Sequence, residues 1–309
     1  MIRVTNLTKF YGKRLAVDDI SFEVGKGEIV GFLGPNAAGK STTMRLLTGY
    51  LLPSRGEIEV AGCDMIGNSL EGRRQIGYLP EIAPLYLDMT MRAYLLYVAR
   101  LRGLERRKAK SRLDEVVAAC MLEEYLESSL GKLSKGFRQR VGLAQAIIHD
   151  PPVLILDEPT VGIDPIQVAQ TRRLIRELGK DRTILLSTHI LPEVSTICER
   201  VVIINAGRIV AQDRIEHLSS VLNGVRRLRI NVQGPPERVS ERLKQTDGVQ
   251  AVSYEKPFHI VAYPADQQPQ AKIMEAMARD GWTLLAMESI ELSLEDIFLQ
   301  LTAGERGGK

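Results

Sequence analysis

Short apolar runs rich in β-branched residues open the chain. Residues 2–4, 20–24, 29–33 and 57–60 are separated by Gly12, Gly25, Gly27 and Gly56, a punctuation that predicts strands, some of them antiparallel. From Thr90 to His149 the period changes. Tyr94, Leu95, Val98 and Leu101 recur at helical spacing, as do Leu113, Val116 and Val117, so this third of the chain reads as a helical insert. Fully apolar runs return at 153–156, 183–186 and 201–204 with helical stretches between them. Strands without a polar face are buried on both sides, as in a parallel sheet. The expected core is α/β, carrying an antiparallel β subdomain and the helical insert.

After Asn223 and Gly224 the pattern starts afresh: strand 227–232, helix 237–245, strand 249–254, strand 259–263, helix 271–279, strand 284–288. The order βαββαβ is a ferredoxin-like layout, which divides the chain into residues 1–222 and a smaller C-terminal α+β domain, 223–309. A last helix is expected from Ser293, whose hydroxyl can cap it while Asp296 reaches back. It would present Leu294, Ile297, Phe298 and Leu301 on one side, a face suited to docking on a neighbouring surface.

Composition narrows the class. At 309 residues and 34.4 kDa the chain exceeds what one hydrophobic core usually fills. With 44% hydrophobic and 26% charged residues it is no disordered protein. Lys and Arg number 41 against 38 Asp and Glu, and a net charge of +3 is too small to argue for a nucleic-acid partner. The longest stretch free of charge, 29–39, falls well short of the roughly 20 apolar residues of a membrane span. The first ten residues hold Arg3 and Lys9 but no apolar block, so no secretory signal is expected and the protein reads as cytoplasmic. Cys63, Cys120 and Cys198 form no CxxC pair and read as reduced, mostly buried thiols. The basic run Arg106, Arg107, Lys108, Lys110, Arg112 reads as a solvated helix face, an acidic membrane surface being the alternative.

The chemistry begins where the apolar run 29–33 feeds into Gly34-Pro35-Asn36-Ala37-Ala38-Gly39-Lys40-Ser41 and then Thr42, the start of a helical stretch that stops at Gly49. This is a P-loop in its strand-to-helix context. The outer glycines let the backbone curl so that successive N–H groups face a phosphate, and the helix N-terminus adds about half a positive charge. Lys40 would serve the β- and γ-phosphates and the Ser41 hydroxyl a Mg²⁺ ion. A side chain at positive φ costs about 1–2 kcal/mol; because the pattern fixes only the outer glycines, Ala37 is expected to keep an ordinary backbone conformation.

Asp157 and Glu158 emerge at the carboxyl end of the run 153–156, where open α/β sheets bind ligands. Asp157 is the candidate Mg²⁺ ligand, directly or through water. Glu158, one residue further on, is the candidate for orienting and deprotonating an attacking water. His189 follows the run 183–187 at the same edge and is a candidate for contact with a γ-phosphate or water.

Leu133-Ser-Lys-Gly-Phe-Arg-Gln139 lies just before Asp150, Pro151 and Pro152 and the carboxylate strand. This order of motifs resembles the ATP-binding-cassette (ABC) ATPases over about residues 1–222. The resemblance implies that Ser134, Lys135, Gly136 and Gln139 meet ATP held by another subunit, so that two subunits, identical or different, close head to tail around two ATP molecules. A helix N-terminus with no acidic residue in its first turn is an anion site, in agreement. By the same resemblance Tyr11 stacks on adenine, a plain packing role being the alternative. Gly162, Ile163 and Asp164 fall in the loop that crosses the dimer; Asp164 can equally cap the helix that Pro165 begins. Glu81, in Gly77-Tyr-Leu-Pro-Glu81, departs from the general pattern, which has Gln as magnesium ligand and coupling residue. A carboxylate can still bind Mg²⁺ but adds charge beside ATP. The substitution is similar to a branch of ABC-2 type exporter ATPases that includes gliding-motility-associated and drug or sodium export systems. The C-terminal unit, with Leu292-Ser-Leu-Glu-Asp-Ile-Phe-Leu299 at its end, looks like that branch's appendage, implying dimer support or regulation.

The leading expectation is therefore the ATP-hydrolysing subunit of a membrane exporter, at the cytoplasmic face of the membrane, with a separate membrane-spanning permease and a like subunit as partners and ATP and Mg²⁺ as ligands. A soluble ABC ATPase acting on ribosomes or DNA is the alternative. A single P-loop and the lack of a heptad arm between Lys40 and Asp157 weigh against it. A P-loop GTPase or small-molecule kinase would lack its Asn-Lys-x-Asp element and leave the signature run unexplained.

Overall fold

A computed structural model of the chain describes residues 1–215, 217–218, 225–264, 266–290 and 298. It divides into two compact units, Met1–Arg214 and Ile215–Lys309.

The first unit contains two sheets. β1 (Ile2–Tyr11), β2 (Arg14–Val24), β4 (Arg55–Val60) and the two-residue β5 (Cys63–Asp64) form an antiparallel sheet in the order β2-β1-β4-β5. The second sheet uses β3 (Ile29–Leu33), β6 (Ile76–Leu79), β7 (Val153–Asp157), β8 (Thr183–Thr188), β9 (Arg200–Asn205) and β10 (Arg208–Arg214) in the order β10-β9-β3-β8-β7-β6. β10 is antiparallel to β9 and every other pair is parallel. All residues of β7 and β8 are buried, as their unbroken apolar runs require. β6 and β10 carry weaker signals: Gly77 interrupts the first, and polar residues interleave the second.

Helices α1 (Lys40–Leu47), α2 (Ser69–Arg74), α3 (Met91–Leu101), α4 (Arg106–Ala119), α5 (Lys135–Ile147), α6 (Pro165–Gly179) and α7 (Leu191–Ile197) complete this unit. The insert is helical, as its period predicts. α3 is capped by Thr90, whose Oγ1 accepts from Ala93 N at 3.3 Å, and buries Met91, Tyr94, Leu95 and Val98. α4 buries Ala109, Leu113, Val116 and Val117 while its basic residues are exposed, Arg112 excepted. Phe22 of one sheet meets Phe32 of the other with ring centroids 5.4 Å apart, inside a core that also holds Met44, Leu46 and Leu47 of α1. That packing fixes the helix behind the P-loop against both sheets. All three cysteines are free; Cys120 and Cys198 are buried, and burial pushes the Cys120 thiol up to about 12.

In the second unit β11 (Val225–Gln233), α8 (Pro236–Lys244), β12 (Ala251–Glu255), β13 (Phe258–Pro264), α9 (Gln270–Arg279) and β14 (Thr283–Ile290) follow the βαββαβ order, and the antiparallel sheet runs β12-β13-β11-β14. Alternate residues Leu228, Ile230, Val232, Val261 and Tyr263 face Val239, Leu243, Ile273 and Met277 of the helices, the period-2 pattern of a half-covered sheet. The helix expected from Ser293 lies outside the described residues.

His149, between α5 and β7, accepts a structural role: its Nε2 donates to Ile76 O at 3.1 Å and its Nδ1 is buried without a partner. Burial, with Arg102 adding repulsion, lowers its pKa to about 4. The folded protein holds this ring neutral where the unfolded chain protonates it, so its stabilisation is whole above pH 6.5 and declines as acid is added towards pH 4. Urea unfolding is expected to lose about 2 kcal/mol from this group between pH 7 and pH 5, and His149→Gln to flatten that slope by one proton. An unchanged slope in the variant would remove His149 from the account.

Candidate active site

Parallel register brings three carboxyl ends together. Leu33 pairs with Thr188 and Asp157 with Ser187, so the P-loop after β3, Glu158 after β7 and His189 after β8 open onto one edge of the sheet. They line a cleft of about 800 Å³ with Tyr11, Asn36, Thr42 and Glu81.

The loop has the shape an anion requires. Gly39 has φ 112, and a Cβ there would stand 2.7 Å from Ala16 O, so glycine is needed both for conformation and for space. Ala38 N donates to Pro35 O at 3.2 Å and Gly207 N to Ala38 O at 2.9 Å, which hold the curl from inside and outside. Lys40 Nζ, buried, donates to Gly34 O at 2.8 Å and Pro35 O at 3.2 Å and lies 3.3 Å from Glu158 Oε1. α1 begins with no side-chain cap and no acidic residue in its first turn, so its N–H groups remain available to a ligand.

Ala37 corrects an expectation. Its φ is 65°, in the left-handed region, not the ordinary conformation the glycine pattern suggests. The tight turn between Pro35 and Ala38 demands that conformation of whichever residue occupies position 37, and the loop's fixed ends impose the strain. Because the strain is already present in the free protein, relieving it should act on folding and not on binding.

Glu158 has φ 50°, and the constraint is visible: its N–H donates to Ser187 O at 3.0 Å and to Ser187 Oγ at 3.2 Å. Both carboxylate oxygens face His189 Nδ1 at 3.0 Å. A carboxylate only accepts, so Nδ1 carries the proton and Nε2 is left for another partner. Asp157 accepts from Ser41 Oγ at 3.3 Å and from Ser187 Oγ. Burial pushes its carboxyl above the usual range, the hydrogen bonds from Ser187 and Ser41 oppose that, and the charges of Glu158 and Glu81 add to the rise. Among the described residues no cluster of three or more His, Cys, Asp or Glu is placed to hold a metal. A hydroxyl and carboxylates around one cleft are nonetheless hard oxygen donors, the set that holds Mg²⁺ together with phosphate oxygens and water.

The signature residues lie elsewhere: Ser134, Lys135, Gly136 and Gln139 are absent from the lining of the 800 Å³ cleft. Ser134 caps α5, its Oγ accepting from Phe137 N at 3.4 Å, and no acidic residue occupies the first turn. Gly136 packs under the Gln167 side-chain amide, where a Cβ would collide with it, and Gly162 packs against Lys135 Nζ. Gln139 is buried, and its Nε2 has no hydrogen-bond partner. Asp164 accepts from Gln167 N at 3.0 Å with Pro165 following, so it caps α6. Tyr11 is 43% exposed on the cleft, its ring 5.7 Å from Lys9 Nζ. Sequence reasoning did not single out Ser187, which bridges Asp157 and Glu158, or Glu193, which gathers Thr160, Thr188 and Arg172. Their signal was only a hydroxyl and an acid inside otherwise apolar surroundings.

A P-loop at the edge of a parallel sheet, with two carboxylates and a histidine from the neighbouring strands, defines a nucleoside triphosphatase. Residues 17–161 match the ABC transporter family. The chain is 35% identical to the bacitracin transport ATP-binding protein of Bacillus licheniformis, covering 98% of both chains, and 35% identical to a Nod factor export ATP-binding protein I of a Rhizobium species, covering 98% of this chain and 97% of that one. A solved ATP-binding subunit of an ABC transporter superposes with a TM-score of 0.67 at 33% identity, over 72% of this chain and 92% of that one. The chain belongs to the ATP-binding subunits of ABC transporters; it binds ATP and is an ATPase.

Ala37→Gly is expected to raise the unfolding free energy by about 1 kcal/mol while leaving ATP affinity within about twofold. Urea midpoints and calorimetric titration check the two halves; a much tighter ATP complex would mean that the strain builds only on binding.

Proposed function

We propose that this subunit powers export through a separate membrane-spanning permease, and that two ATPase subunits close head to tail on two shared ATP molecules. One observation carries the reading: the α5 N-terminus is uncompensated by any acidic residue, and none of Ser134, Lys135, Gly136 and Gln139 lines its own chain's P-loop cleft. An anion site built at that helix end then serves ATP held by another protomer. The names of the relatives, bacitracin transport and Nod factor export, support an export role, and the family implies a membrane partner. Among the described residues no helix is long and apolar enough to cross a membrane, which fits attachment to a permease at the cytoplasmic face. The C-terminal unit would support the dimer or regulate it.

On this reading Gly34 to Thr42 wrap the phosphates and Tyr11 stacks on adenine. Lys40 exchanges its pairing with Glu158 for the β- and γ-phosphates. Glu158, released from the ammonium and still held by His189, takes a proton from the attacking water. Ser41, Asp157 and Glu81 would hold Mg²⁺, which neutralises phosphate charge when bound. Glu81 in place of an amide leaves one more negative charge near the metal. Lys135, Gly136 and Gln139 shape the end of α5, with Ser134 presenting its hydroxyl across the interface beside the Asp164 loop.

Glu158→Gln is expected to lower turnover by about 10²- to 10⁴-fold while retaining ATP, and sizing chromatography with ATP should then show a trapped dimer. Hydrolysis at the wild-type rate would remove Glu158 from this role. Ser134→Arg should abolish hydrolysis but leave ATP binding to the dilute protomer within about threefold; equal loss of both would contradict a shared site. Purified from membranes, the subunit should carry a defined membrane-spanning polypeptide, whereas recovery with ribosomes would favour the soluble alternative.

A further inference from the structure

We propose that Glu193 is a positioning residue for hydrolysis: a single buried carboxylate that holds the turns bearing Glu158 and His189 in register with each other and with α6. The inference rests on the roles assigned to Glu158 and His189 above. Glu193 does not line the cleft, and its carboxylate bonds to Thr160, Thr188 and Arg172, not to either of those side chains, so its influence passes through their backbones.

The geometry is specific. Glu193 lies in the first turn of α7 and is 1% exposed. Its Oε2 accepts from Thr160 Oγ1 at 2.6 Å and from Thr188 Oγ1 at 3.3 Å, and its Oε1 faces Arg172 Nη2 at 3.4 Å. Each donor comes from a different element. Thr160 stands two residues after Glu158, Thr188 directly before His189, and Arg172 on α6, the helix capped by Asp164. Thr160 and Thr188 are themselves buried.

A carboxylate can only accept, so it directs both threonine hydrogens towards itself. The Thr188 oxygen is then free to accept from Ile190 N at 3.0 Å, and His189 is bracketed between two fixed residues. Glu193 N donates in turn to Ile190 O at 3.1 Å, closing the start of α7. On the other side, Glu158 occupies the left-handed region in a turn closed by Val161 N to Glu158 O at 3.3 Å. Such a conformation persists only where its surroundings over-determine it, and the bond from Thr160 to Glu193 supplies a second anchor beyond Ser187. Without Glu193, two buried hydroxyls and a guanidinium lose their acceptor, and the base and the histidine can drift apart. Catalysis is sensitive to such misplacement at the scale of an ångström.

The test uses the full-length chain with Mg-ATP, measuring kcat and KM together with the affinity of a fluorescent ATP analogue. Glu193→Ala and Thr160→Val should each lower kcat by about tenfold and Thr188→Val by about threefold, with KM and analogue affinity changed by less than about threefold. Glu193→Gln, which keeps an acceptor for the hydroxyls, should stay within about threefold of the wild-type kcat. Adding Thr160→Val to Glu193→Ala should cost little more, because both remove the same bond. If Glu193→Ala fails to fold, the threonine variants and Glu193→Gln decide alone. Wild-type kcat in both threonine variants, or a change in KM in place of kcat, overturns the proposal. Glu158→Gln measured alongside separates the two ideas: wild-type turnover there defeats the assignment of Glu158, whereas a dead Glu158→Gln with fully active Glu193 and threonine variants defeats only the role of Glu193.

Discussion

A buried ammonium and a buried carboxylate share one cleft. Lys40 and Glu158 are almost wholly removed from solvent and lie 3.3 Å apart. Either charge alone at that depth would cost several kcal/mol, so in the free protein each is the other's counterion, aided by the carbonyls of Gly34 and Pro35 and by His189. On the proposed roles, a polyphosphate would offer Lys40 a better partner and the exchange would leave the carboxylate with the histidine, so that nucleotide binding and the arming of the base would be one electrostatic event.

The fold exists to make that meeting possible. β3, β7 and β8 are adjacent and parallel, and their register sets Leu33 beside Thr188 and Asp157 beside Ser187. Their fully buried apolar residues supply the stability that the polar edge does not, each Val, Leu or Ile contributing about 1.5–3 kcal/mol on burial. The strained backbone at Ala37 and Glu158 sits where those strands end, which is where such strain is commonly found.

Much of this is legible in the sequence alone, and the reasons differ by residue. The P-loop announces itself because phosphate binding dictates backbone shape as well as side chains. Asp157, Glu158 and His189 stand out because each interrupts an apolar strand at its carboxyl end. The Asp164 cap follows from carboxylate chemistry at a helix start. The conformation of Ala37 did not follow, since alanine carries no signature of positive φ. The gathering of Thr160, Thr188 and Arg172 on Glu193 depends on how β7, β8, α6 and α7 are laid side by side, which no local pattern encodes. The first unit ends at Arg214, before the break expected after residue 222. The ferredoxin-like order in the second unit was readable because its strands keep a period of two that is distinct from the period of its helices.

The central claim, that hydrolysis uses a P-loop from one protomer and the α5 N-terminus of another, is most directly tested by mixing two inactive variants. Lys40→Ala and Ser134→Arg proteins each lack one half of every site. If the site is shared, equal mixing lets half of the dimers form with one intact site out of two, and phosphate release should recover to about a quarter of the wild-type rate. Release no greater than the sum of the two variants assayed separately would contradict the account.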